Sequence, residues 1–417
     1  MFYTFLFLAF ILIEVFVLTY IERISWGTLY TPLTCLMLPY LLVLLCTMAI
    51  SGKFHFVEFY YPSIFIWNIG LFLFAIPSYI LSLVTKKYPI YFSQKIKDER
   101  YPIFLGILSI LISLLFIVRF YMTIKSSIYM FGTDDFAEDF AGHGIWAHLR
   151  DMVMPLLIIA IYFVSKKNWW LWGIILALLT IQVLYMVKGA IIISAVSGIC
   201  IRLYAHKMRL SISLVLKSLL GAFALFLIVY MVLPLMGRED GQEHANLQLV
   251  EFVIEHFLHY FTSGTLGLSY DLQLNCPDRG DFEILLSQFV NIYKYIVGDK
   301  ALLSPVNPIY LNTGITLTNV RTFFGTMYIY CNSFQFVCYT LIFSFIMYSV
   351  KLIAHHSESV FVYAILCYYC GLLAMGWFEF YFFHLATLEV PIITMILFLI
   401  TKIKIKNKAG YDNESKR

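Results

Sequence analysis

GREDGQEHANLQLVEFVIEHFLHYFTSGTLGL, residues 237–268, is where this chain stops reading as hydrocarbon. It opens a long polar interval, Gly237–Arg321, which begins with Arg238-Glu239-Asp240 and closes with Asn319-Val320-Arg321. Outside that interval the loops are short and the runs between them apolar. Hydrophobic residues make up 61% of the 417, charged residues only 13%, and the mean hydropathy is +0.82. A water-soluble domain has no use for so much apolar surface, so the class is an integral membrane protein, with no nucleic-acid partner expected.

Apolar runs long enough to cross a bilayer fall at 2–21, 30–50, 62–85, 102–122, 151–165, 169–187, 189–205, 212–235, 322–350, 359–377 and 381–401. At roughly 20 residues per crossing this predicts an all-α, polytopic membrane protein of about eleven helices. The expected organisation is transmembrane helices in 1–236, an extracytoplasmic loop with an amphipathic helix in 237–321, further transmembrane helices in 322–401, and a basic tail in 402–417. The first run lacks a basic leader and a small-residue cleavage site, and reads as a retained helix.

Basic residues orient these spans. Lys86, Lys87, Lys95, Lys97 and Arg100 share one loop; Lys166 and Lys167 fill another. Arg202, Lys207 and Arg209 mark a third, and Lys402, Lys404, Lys406 and Lys408 the tail. With eleven alternating spans all four groups fall on one side, which the positive-inside rule makes cytoplasmic. The N-terminus and the polar interval are then outside, the C-terminus inside.

Within the interval, Gln248–Phe261 carries Gln248, Glu251, Glu255 and His259 on one helical stripe. That pattern predicts a helix lying along the membrane surface, broken by Ser263-Gly264-Thr265. A second apolar patch, Phe289–Val297, is interrupted by Lys294 and is expected to pack back onto the bundle. Pro305, Pro308 and Gly314 mark an irregular return.

Arg238 and Arg321 lead the candidates for chemistry, because a guanidinium fork suits phosphate oxygens and stays charged at any working pH. The alternative is that both snorkel, or pair with Glu239 and Asp240. Arg279 lies between Asp278 and Asp281; Lys188 sits at a hairpin tip before Gly189 and offers a point charge or simply a polar turn. His148 and Arg150 stand at the foot of another span. Near the last spans, Glu379 and His384 are placed as proton acceptors or sugar ligands, and Glu389 is an ionisable residue inside a helix. Tyr260 and other outer tyrosines offer faces for sugar stacking.

Asp134-Asp135 and Glu138-Asp139 could hold a divalent metal, but their spacing is not diagnostic and a solvated acidic loop is the expected reading. Cys367-Tyr-Tyr-Cys370 has zinc-like spacing but lies inside a span without partner ligands, so no metal is expected. Phosphate-loop, dinucleotide, zinc-hydrolase and serine-hydrolase motifs do not occur, and no cofactor is expected.

Two stretches carry a resemblance. Arg238 followed by His259-Tyr-Phe-Thr-Ser-Gly-Thr-Leu-Gly-Leu, and Thr318-Asn-Val-Arg-Thr-Phe-Phe-Gly, resemble segments of the oligosaccharide repeat-unit polymerases, the Wzy-type O-antigen and capsule polymerases. The pattern of spans with one dominant late outer loop is similar to theirs as well. The resemblance implies a GT-C-like membrane fold in the bacterial inner membrane and a glycosyltransferase that joins undecaprenyl-diphosphate-linked oligosaccharides, one as donor and one as acceptor. It implies that Arg238 and Arg321 grip the diphosphate without a metal and that Glu379, His384 or an acidic residue of the polar interval takes the acceptor proton. Lys188 stands where the family often has an arginine, and Arg279, Tyr260 and Asp240 are the further candidates for lining the substrate. The partners are then lipid-linked glycan, membrane lipid and, in such systems, a chain-length regulator. An O-antigen ligase and a flippase of the same lipid-linked glycan are the rival readings.

Overall fold

A backbone in lipid must satisfy its hydrogen bonds either within each run, as a helix, or between the strands of a closed barrel, and the described spans of this chain do the former. The structure, a computed structural model, describes residues 2–87, 96, 100–126, 134–185, 188–211, 213–217, 220–221, 223–224, 247–275 and 281–414. Among these, eight helices are long and apolar enough to cross a membrane: Phe5–Trp26, Pro32–Ile50, Tyr61–Thr85, Ile103–Ser126, Gly144–Phe163, Ser333–Ser357, Val360–Trp377 and Ala386–Ile403. Leu171–Leu184 and Gly189–Tyr204 are shorter apolar helices, and most of the expected span 212–235 lies outside the described residues. The protein is an all-α polytopic membrane protein. Its described β-structure is a two-residue pairing, Leu311–Asn312 with Leu317–Thr318.

The chain forms two compact units that interleave in sequence. The first comprises Met1–Ile90, Leu210–Lys351 and Leu372–Leu385; the second comprises Tyr91–Arg209, Leu352–Gly371 and Ala386–Arg417.

In the first unit the core is aromatic. The Tyr40 and Trp67 rings stack with centroids 3.4 Å apart, and Phe324 meets Trp67 edge-on. A Cβ at Gly70 would run into the Phe324 ring, so the missing side chain lets the Phe323–Tyr330 helix close on the third span. The Leu247–Gln273 helix packs against Pro32–Ile50. It runs unbroken through Ser263-Gly264-Thr265, which corrects the break expected from sequence. The small residues are contact points: a Cβ at Gly264 would collide with the backbone of Trp377 and Phe378, and one at Gly267 would lie 3.0 Å from the Arg321 guanidinium. Thr262, Ser263, Thr265, Leu266 and Ser269 are buried accordingly. The buried contacts fall mainly on 262–271, past the Gln248–Phe261 segment expected along the membrane surface; within that segment Val253 and His259 are buried and Ile254 and Tyr260 exposed.

The second unit is built on Gly144–Phe163, which packs against Leu171–Leu184, Lys188–Tyr204 and Ala386–Glu414. Leu156 through Ala160 are wholly buried, and Gly198 makes room for Ile161. Arg202 donates to the carbonyls of Ile161 and Val164, each at 3.0 Å, satisfying acceptors that the end of the Gly144–Phe163 helix leaves open. Cys367 and Cys370 are buried in this core.

Candidate functional site

Three segments of the first unit converge, and they include both stretches that carry the sequence resemblance. The Leu247–Gln273 helix presents a face made of Gly264, Gly267 and, four residues on, Asp271, positions that fall together at helical spacing. Against this face lie 318–322 and the loop after Trp377. Thr322 joins the last two, its amide donating to the Phe378 carbonyl at 3.0 Å.

At the centre is Arg321, 1% exposed. Its Nε donates to Asp271 Oδ2 at 2.8 Å; Nη1 donates to the carbonyls of Val320 (2.9 Å) and Thr318 (3.4 Å), and Nη2 to that of Ile309 (3.1 Å). The sequence led us to expect an arginine open at the hinge of a span. The structure encloses it, because an ion pair this deep holds only when the remaining donors also find acceptors. The guanidinium thereby ties the long helix to the return strand at one point.

The next residue adopts an unusual backbone. Thr322 has φ 65° and ψ 171°, a region natural to glycine and costly, by about 1–3 kcal/mol, for a β-branched side chain. Several hydrogen bonds over-determine it. Its hydroxyl accepts from Trp67 Nε1 at 3.0 Å and from the Gly325 amide at 3.3 Å, and its carbonyl accepts from the amide and hydroxyl of Thr326. Such strain concentrates where a neighbouring group must be held in one orientation, here Arg321.

Glu379 is half-buried beside this centre. Burial pushes its carboxyl up to about 8, and the positive field of Arg321 pulls it partly back. A carboxyl near neutrality can both accept and donate a proton under physiological conditions. The Tyr381 phenol is pushed up by burial and then by Glu379, and stays protonated as a donor. His384 is exposed. An aromatic row, Phe261, Trp377, Phe378, Tyr381 and His384, runs from the long helix to that imidazole with neighbouring ring centroids 5.2 to 6.4 Å apart.

The other sequence candidates fall elsewhere. Arg238, Asp240 and Arg279 lie outside the described residues, as does the side chain of Lys188. Tyr260 is half-exposed on the long helix; eleven residues before Asp271, it is about 16 Å away along the axis. In the second unit His148 Nδ1 meets Glu389 Oε1 at 2.8 Å. Arg150 pairs with Asp151 at 2.8 Å and lies over the Tyr185 ring at 4.3 Å. Glu389 thus has a histidine partner rather than the tyrosine considered from sequence. The acidic turn Glu138–Gly142 is held through its main chain, where Arg119 donates to the carbonyls of Asp139 and Phe140.

Asp271 escaped the sequence reading, and Thr322 entered it only as part of the 318–325 stretch, without a role of its own. A signal for Asp271 was present: an acidic residue on the same helical face as two glycines must be buried when that face closes, and must then find a cation. Thr322 left none, since nothing local announces a positive φ at threonine.

No curated protein and no solved structure matches this chain. The model of one family, described as a family of unknown function (DUF6337), matches residues 55–407. That stretch takes in most of each unit and every segment of the candidate site, and the chain belongs to the DUF6337 family.

Proposed function

We propose that this protein is a glycosyltransferase of the Wzy type, polymerising undecaprenyl-diphosphate-linked oligosaccharide repeat units at the outer face of a bacterial inner membrane. The observation that carries the reading is the convergence of His259–Leu268, Thr318–Gly325 and Trp377–His384 around a buried cation and a near-neutral carboxyl.

In this reading Glu379, in its ionised form, takes the proton from the acceptor sugar hydroxyl. The hydroxyl oxygen attacks the anomeric carbon of the donor, a new glycosidic bond forms, and the bond to the diphosphate breaks. The lipid diphosphate leaves with the electron pair. Arg321 acts from behind: its positive field lowers the cost of the ionised Glu379, and its bonds hold Asp271 and the return strand. Direct grip on the diphosphate falls to Arg238. The aromatic row ending at His384 offers apolar faces of the kind that stack on sugar rings. No step calls for a metal or a cofactor.

The test is complementation of a deletion in the native host with wild type, Glu379→Gln and Arg321→Ala, with membrane levels checked by immunoblot. The expected result is loss of the long-chain glycan ladder in both variants, with single repeat units left on the lipid carrier. A normal ladder from both overturns the reading. Full-length polymer that accumulates unattached in the deletion strain would instead mark a ligase, and lipid-linked units trapped on the cytoplasmic side a flippase.

A further inference from the structure

The Ser287–Ile296 helix is built inside out. Its polar residues face the protein: the Ser287 hydroxyl donates to the Phe383 carbonyl at 2.9 Å, and Asn291 bonds both the amide and the carbonyl of Leu303. Lys294 donates to the carbonyl of Ala301 at 2.6 Å. Phe289, Ile292, Tyr293 and Ile296 recur at the spacing of one helical stripe, and that stripe is exposed: 53%, 39%, 65% and 74%. A helix bathed in water would place these residues the other way round.

The surroundings say what covers the stripe. The turn leading into the helix is pinned to a membrane span: the Tyr339 hydroxyl donates to the Leu285 carbonyl at 3.4 Å, and the Phe282 ring meets the Tyr339 ring edge-on at 5.4 Å. Tyr339 lies only about 9 Å along the axis from the first residue of Ser333–Ser357. The helix is thereby fixed at the level where that span enters the bilayer. The same end of the span exposes Phe334 and Val337, so apolar surface continues from span to helix. Tyr293, Lys294 and Tyr295 are residue types that favour the boundary between headgroups and acyl chains.

We infer that Ser287–Ile296 is an in-plane membrane helix whose Phe289, Ile292, Tyr293 and Ile296 insert into the lipid interface. This does not depend on the polymerase reading, because it concerns what holds the segment and not what the site does. The stripe inserts to about the depth of the headgroup and upper acyl region. Through Ser287 and Phe383, the inserted helix is joined directly to the loop that carries Glu379 and His384.

The test uses the full-length chain in liposomes of phosphatidylethanolamine and phosphatidylglycerol. An environment-sensitive fluorescent amino acid is placed by codon suppression at Phe289, Ile296 or, as an exposed control, Lys300. Each sample is quenched with lipid bearing a nitroxide high on the acyl chain, or with a water-soluble nitroxide. At Phe289 and Ile296 the lipid quencher is expected to act about threefold or more strongly than the aqueous one, with the order reversed at Lys300. Stronger aqueous quenching at both stripe positions overturns the inference. So does protection from both quenchers that disappears as protein is diluted in lipid, which would assign the stripe to a second copy of the chain. If the label at Phe289 prevents purification of monodisperse protein, Tyr293 carries the same comparison.

Discussion

The helices Leu247–Gln273 and Ser287–Ile296 belong to the same polar interval, and sequence pattern assigns them opposite fates from those they have. The first carries Gln248, Glu251, Glu255 and His259 on one stripe and reads as a surface helix broken at Ser263-Gly264-Thr265; the structure continues the helix through that point and buries His259 and much of 262–271. The second reads as an apolar patch that folds back onto the bundle; the structure leaves its apolar stripe facing out. The difference teaches that in a membrane protein amphipathicity finds the faces of a helix without saying which face meets protein. Close backbone approach decides the first case, because glycine and serine admit neighbouring chain where larger side chains would not. Polar satisfaction decides the second, because Ser287 and Asn291 find partners only on the protein side.

The comparison is broken most directly at Gly264. Gly264→Leu places a side chain against the backbone of Trp377 and Phe378, which cannot give way as a flexible side chain can. The expected outcome, a cost of about 3 kcal/mol or more, is loss of monodisperse protein in detergent, read by yield and size-exclusion profile. Normal yield would mean that the long helix is not held where the structure has it.

Next in size is Asp271→Ala, which leaves the Arg321 guanidinium buried without its carboxylate. It should cost about 3–5 kcal/mol, read as a lowered Tm in detergent. Combining it with Arg321→Met should recover part of that loss, because the two residues act as one pair. A double variant whose losses simply add would show that the pair is not coupled.

Glu379 sharpens the comparison through pH. Its carboxyl is held above its ordinary value of 4.5, at about 8, so between these limits the folded state binds more protons than the unfolded one. Its contribution to stability is therefore full below about pH 4.5 and is lost as pH rises toward 8. The Tm should show this falling component across that window, and Glu379→Gln should flatten it. Under the proposed role as proton acceptor, activity should follow the opposite limb and rise toward about pH 8. Arg321→Met should move both limbs to higher pH, since the guanidinium favours the ionised carboxyl.

The smallest effect is expected on the outward helix. Ile296→Ser should change stability in detergent by no more than about 0.5 kcal/mol, as for an exposed position that touches little protein. A large loss of Tm in detergent would show that the stripe is packed on protein after all.

Much of the fold was legible in order along the chain. The apolar runs placed the described spans to within a few residues at most ends, because a continuous apolar run of about 20 residues has the length and pattern of a membrane helix and not of the short alternating strands of a barrel. The candidate site was legible only in part. Arg321, Glu379 and His384 stood out as ionisable groups next to spans, whereas Asp271 lay beyond the break expected at Ser263-Gly264-Thr265. Its partner is fifty residues away, and no local pattern carries that distance.

Composition and periodicity by themselves therefore determined that this is a polytopic helical membrane protein with one long polar interval. Tertiary structure alone decided which face of each helix in that interval is covered, that Arg321 is enclosed by Asp271 and three carbonyls, and that Glu379 sits near neutrality. The physical reason is the same in each case. Local sequence controls backbone hydrogen bonding within a segment, but burial and charge are properties of neighbours that only folding supplies.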